Sequence, residues 1–118
     1  MFLERLNEVS ARMDGAVAVS LVAADGIPVE SVSARRDLDL ESAAAELVAL
    51  ARSIAREQRE LSVGELQQFT VSGRELTFLL SRIGSGYWLL AALAPEASLG
   101  RARFEMKRAT LLFEDDLA

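Results

Sequence analysis

The sequence predicts a three-layer α/β domain, an antiparallel sheet with helices on both faces. Three observations lead there. Three segments carry the three-to-four-residue apolar spacing of amphipathic helices, and five short segments rich in β-branched, aromatic and leucine side chains lie between them, divided by glycine-containing turns. In the last two of those strand-like segments both alternating sets of side chains are apolar. A sheet with two apolar faces needs cover on both, so the helices must be shared between its two sides.

The elements follow in order. Phe2, Leu6, Val9 and Met13 mark one face of a first helix that Gly15 stops. From Val17 the pattern becomes the apolar run AVAVSLVAA, then Asp25-Gly26, then IPVESVS, which reads as strand, two-residue hairpin turn and strand. Pro28 places the second strand at a sheet edge, because it has no N–H for an inner ladder. Arg35 to Asp39 form a polar connection into a long helix over residues 40–60. Its inward face is read as Leu40, Ala43, Ala44, Leu47, Leu50, Ala51, Ile54 and Ala55. On the opposite side Ala45, Ala49 and Ser53 make a ridge of small side chains beside Arg52 and Arg56, shaped for close approach of another helix.

After Ser62-Val63-Gly64 come ELQQFTVS, a Gly73-Arg74 turn, ELTFLLSRI, a Gly84-Ser85-Gly86 turn and YWLLAALA, three sequential antiparallel strands. Pro95 ends the last, and Ser98 is the expected N-cap of a final helix with Leu99, Ala102, Met106, Ala109 and Phe113 on one face. With 118 residues the chain is read as one domain over 1–113, with an acidic C-terminal tail over 114–118.

Composition narrows the chemistry. There is no cysteine and no histidine, which removes disulfides, thiolate metal sites and the commonest general base near neutral pH. A formal net charge of −5 is the wrong sign for binding nucleic acid or anionic lipid. No apolar run approaches the roughly 20 residues of a membrane span, and the start MFLERLNEV has acidic residues where a signal peptide would be basic. A cytoplasmic protein with a protein partner is the expectation.

Individual candidates have bland readings. Gly84-Ser85-Gly86 joins two strands, whereas phosphate-binding loops lead into a helix N-terminus. Asp25 is explained by turn chemistry. Glu57 with Glu60, and Asp37 with Asp39, lie in solvated segments with no apolar pocket to separate their pKa values. No catalytic residue, cofactor site or metal site is expected.

The segment LVAADGIPVESVS resembles the hairpin of the Roadblock/dynein-light-chain family, and GYWLLAALAPEASLGRARFEMKRA its last strand and following helix start. The likeness spans about residues 4–113, the Ala-rich helix and three-strand meander falling between in the family order. It implies a profilin-like, three-layer Roadblock fold: a five-stranded antiparallel sheet in the order 2-1-5-4-3, helix two on one face and helices one and three on the other. It also implies a homodimer in which the third strands pair edge to edge into one ten-stranded sheet and the two copies of helix two pack together. Two residue-level readings meet this expectation, since Gln67 to Ser72 would otherwise be an open edge and the ridge of helix two would lack a partner. The expected dimer interface is Ala45, Ala49, Arg52, Ser53, Arg56, Gln67, Phe69 and Val71.

Family members bind Ras-like small GTPases, and bacterial relatives include the gliding-motility GTPase-activating partner; others are scaffold subunits. The resemblance therefore implies a non-catalytic regulator of such a GTPase. Read from the residues themselves, Arg35 and Arg36 in the exposed connection and Arg52 and Arg56 on helix two are the candidate partner-binding residues, placed to meet an acidic partner or a phosphate. The alternative is a scaffold or small-ligand-sensing subunit with no GTPase partner.

Overall fold

The computed structural model describes residues 2–118, Gln58 by its backbone alone. Met1, counted in the expected 1–113 domain, lies outside the described residues. The elements are α1 (Leu3–Arg12), β1 (Ala16–Ala23), β2 (Pro28–Ser33), α2 (Leu40–Leu61), β3 (Gln68–Ser72), β4 (Thr77–Ile83), β5 (Tyr87–Leu93) and α3 (Leu99–Leu117). They occur in the order read from the sequence. All neighbouring strands pair antiparallel, in the order β2-β1-β5-β4-β3.

The pleat divides the core in two. Leu21, Leu79 and Leu89 point to the side where Leu6, Val9 and Met13 of α1 meet Met106 and Phe113 of α3. Val22, Leu80 and Leu90 point the other way, with Trp88, onto Ala44, Leu47, Val48 and Ala51 of α2. Adjacent residues of one strand thus feed opposite layers, as a period of two requires.

Helix ends follow local chemistry. Ser98 accepts the N–H of Arg101 at 3.3 Å and caps α3 as expected. Asp39 does the same for α2, accepting the Ser42 N–H at 3.1 Å and its hydroxyl at 2.8 Å. Gly15 leaves α1 at φ +90°, and a Cβ there would stand 2.6 Å from the Ala97 Cβ, so the turn needs glycine for both conformation and space.

The structure corrects three details. The β1–β2 connection is not a two-residue turn but spans residues 24–27, with the Asp25 carboxylate accepting the Ile27 N–H at 3.0 Å. The loop widens because it also packs on α2. Gly26, at φ +91°, is buried there against Ala45 and Val48, and the pairing register slips between Leu21 and Val22.

On α2, Leu50 is 47% exposed and Val48 is 1% exposed, the reverse of the face read from the sequence. At 100° per residue, Leu50 lies about 110° from the centre of the buried stripe and Val48 only about 50°. Residues 114–117, read as tail, are the last turn of α3. Asp116 pairs with Arg5 of α1 at 3.0 Å and Leu117 packs on the core, which holds the turn in place.

Candidate interaction surface

The surface that the sequence singled out is built on α2. The buried stripe seats one side of the helix on β1, β4 and β5 and turns Ala45, Ala49 and Ser53 outward, where all three are exposed. Arg52 and Arg56 flank this ridge on one side. Glu46, Leu50 and Glu57 flank it on the other. Leu50 is a surface candidate that the sequence reading missed, because its leucine chemistry pointed inward while its angular position points out.

The β1–β2 loop extends this surface. Arg52 donates from Nη2 to the Ala24 carbonyl at 2.7 Å, stapling the outer flank of α2 to the loop, and Ile27 at the loop tip is exposed. Arg52 therefore has an intramolecular partner while remaining on the surface.

β3 ends the sheet, bonded to β4 and to no other described strand. Its alternation is clear: Phe69 packs toward the α2 layer, whereas Gln68 and Thr70 face the other side, bonding Ser81 at 2.7 Å and Arg103 at 3.2 Å. Val71 shares the Phe69 side and is exposed; Gln67, just before the strand, is exposed and donates to the Glu65 carboxylate at 3.1 Å. The approach to β3 is anchored by Arg82, whose guanidinium lies 4.4 Å from the Trp88 ring centroid and donates to the Leu66 carbonyl at 2.9 Å.

The two edges of the sheet are not equivalent. β2 carries Pro28 and a register slip, and its Glu30 carboxylate accepts the Phe2 N–H at 3.1 Å, so α1 closes over it. β3 has no proline and no slip. By the devices that blunt sheet edges, β3 is the edge left able to pair.

The four candidate arginines are not brought together. Arg35 follows Ser33, at the end of the sheet shared by Ala16, Leu93 and Thr77; Ala24, which Arg52 holds, lies past Ala23 and Tyr87 at the other end. The eight residues of β1 separate these ends by roughly 25 Å. Arg35 is engaged with Asp37 at 2.7 Å, a bond that holds the Asp37 carboxyl below its ordinary value, and Arg36 is exposed beside it. Asp39, drawn beside Asp37 in the sequence as a conceivable acid/base pair, is instead committed to Ser42, which lowers its pKa as well.

No protein-family model and no curated protein matches the sequence. Solved structures do match the fold. The gliding protein MglB of Thermus thermophilus superposes with a TM-score of 0.87 at 19% identity, over 96% of this chain and 85% of that one. A Roadblock/LC7 domain from Streptomyces avermitilis gives 0.74 at 20% identity, over 97% and 95%. The chain has the Roadblock/LC7 fold. Profilin II of Acanthamoeba castellanii matches more distantly, with a TM-score of 0.68 at 9% identity over the whole of both chains. Within the Roadblock fold the ridge of α2 and the edge of β3 are free surface in the single chain. Among the described residues, no helix is long and apolar enough to cross a membrane.

Proposed function

We propose that the chain is a cytoplasmic, homodimeric regulatory module for a Ras-like small GTPase, working through its surface with no catalytic residue of its own. The observation that carries this reading is the exposed ridge Ala45, Ala49 and Ser53 on a chain with the fold of MglB. Small side chains on an outward helix face let a second helix backbone come close, and leucine and arginine flanks supply contacts around it.

In this reading β3 pairs with β3 of a second copy through residues 68–72, and the two α2 helices lie side by side above the ten-stranded sheet. Phe69 and Val71, on the α2 side of β3, then sit beneath the paired helices, with Gln67 at the end of the seam. The paired α2 surface, with Arg52 and Arg56 at its margins, is what a GTPase would meet; Arg35 and Arg36 reach a partner from the far end of the sheet. A regulator of this kind acts by binding and reorganising the switch segments of its partner, so no arginine need enter the nucleotide site.

The test is solution mass by light scattering, followed by binding to a candidate Ras-like GTPase loaded with GDP or with a GTP analogue. A dimer that prefers the GTP-analogue form is expected. A monomer would refute the interface, and a dimer indifferent to nucleotide would leave the scaffold or ligand-sensing role in place of GTPase regulation.

A further inference from the structure

Helix α3 carries a second unpartnered surface on the sheet face opposite α2. Its buried stripe of Ala102, Met106, Ala109 and Phe113 accounts for the core side. On the outer side Phe104 is 66% exposed and Leu111 is 63% exposed, two turns apart on one face. Between α3 and β3 runs a groove of about 620 Å³, lined by Gln68, Ser81, Phe104, Lys107, Leu111 and Glu114, so the flank of α3 that carries the two apolar side chains is not covered by its own sheet.

The charges on this helix are divided by half. The exposed basic residues Arg101, Arg103 and Lys107 lie toward its N-terminus, and Glu114, Asp115 and Asp116 toward its C-terminus. The first turn has no acidic residue and the last turn no basic one. That order opposes the helix dipole, which favours acids at the start and bases at the end. Arg108 and Asp116 have partners, Glu105 at 3.4 Å and Arg5 at 3.0 Å. Arg103 donates to Thr70 of β3 at 3.2 Å and Glu114 accepts the Gly84 N–H at 3.4 Å, but among the described residues neither they nor Lys107 meet an opposite charge, and along the apolar strip their order costs the isolated helix.

Set antiparallel against itself, the same helix brings its basic half against its acidic half and leaves the two Lys107 side chains as like charges beside the axis. With a two-fold axis passing near Lys107 and Arg108, Phe104 of one copy meets Leu111 of the other, and Arg103 meets Glu114. Separations of seven and eleven residues are two and three turns, so both pairs fall along one seam. A two-fold contact also makes each pairing twice, which is how a self-complementary patch closes.

We infer that α3 binds α3 of a second copy of this chain, antiparallel, through Phe104, Leu111 and the Arg103–Glu114 pairs. The contact is separate from the α2 and β3 surfaces, and copies already joined there would be linked into larger assemblies by it.

The test uses the full chain. Light scattering over a range of concentrations should show wild-type protein rising to twice the mass of Phe104→Glu, with the variant unchanged in circular dichroism because the position is exposed. Arg103→Glu should weaken the association and Arg103→Glu with Glu114→Arg should restore it. The chain has no cysteine, so Lys107→Cys introduces a single thiol beside the axis, and mild oxidation should give a covalent pair that Phe104→Glu suppresses. Equal mass for wild type and Phe104→Glu at every concentration overturns the proposal, as does a charge swap no better than the single reversal. Loss of mass with Phe104→Glu but no disulfide-linked pair from Lys107→Cys overturns the antiparallel geometry. Ala49→Arg, measured in parallel, reports on the α2 surface alone, so the two interfaces fail separately.

Discussion

The guanidinium of Arg5 donates to both carboxylate oxygens of Asp116, at 3.0 Å from Nε and 3.2 Å from Nη2, joining residues 111 apart in sequence. The fork matches the carboxylate plane, and it locks the start of α1 to the last turn of α3 on the same face of the sheet.

Acid should undo this tie. The hydrogen bond from Arg5 holds Asp116 below the ordinary value of 3.8, so the folded state favours the ionised form. The stabilisation is therefore complete above that ordinary value and is lost as pH falls through the depressed native one. Asp116→Asn should melt below wild type at neutral pH, with the gap closing in acid and shrinking in high salt because the pair is near the surface. Thermal melts from neutral to acid pH decide it; a gap that persists in strong acid would assign the effect to packing.

Gly15→Ala should be among the most damaging small substitutions. Left-handed backbone costs an L-residue about 1–2 kcal/mol, and the overlap with the Ala97 Cβ adds a packing cost of about 1–3 kcal/mol. Denaturant unfolding should show a loss of about 2–5 kcal/mol, the sum of those two penalties. A loss near that of an ordinary surface change would mean that the Gly15 and Ala97 backbones separate easily.

Two phenylalanines on α3 should behave as opposites. Phe113 is 0% exposed, and Phe113→Ala should cost about 3–5 kcal/mol by removing a core ring. Phe104→Ala should change the stability of the unassociated chain by no more than about 0.5 kcal/mol. Chemical denaturation at low concentration separates the two, and similar costs would contradict the orientation of α3.

Ala49→Arg should leave the fold intact and shift the protein toward monomer. Ala49 is exposed in the single chain, so the new side chain meets solvent there, whereas between paired α2 helices it would bring two bulky charges together. Unchanged mass by light scattering would place the dimer contact elsewhere.

Most of the fold was legible in the sequence because local periodicity encodes it. The switch from helical spacing at Val9 and Met13 to β-branched residues at Val17 and Val19 marks a boundary without tertiary information, and Ser98 announces a helix start. What could not be read depends on contacts distant in sequence. Leu50 and Val48 differ in burial only through the rotation at which α2 meets the sheet. The β1–β2 loop widens because Gly26 packs on Ala45 of α2, 19 residues later. The last turn of α3 is held by Arg5, from the opposite end of the chain. The outward ridge of α2 was legible as small residues at four-residue steps. The scattering of the four arginines over both ends of the sheet was not, since only strand register reveals it.

The place of β5 between β1 and β4 has a consequence for how the molecule comes into being. Until residues 87–93 are available, the sheet exists only as two separate ribbons, β1 with β2 and β3 with β4, each too small to be stable alone. The ribbon made first must wait for the strand made last. During synthesis the two ribbons therefore cannot join into one sheet before β5, which begins at Tyr87, is available to stand between them.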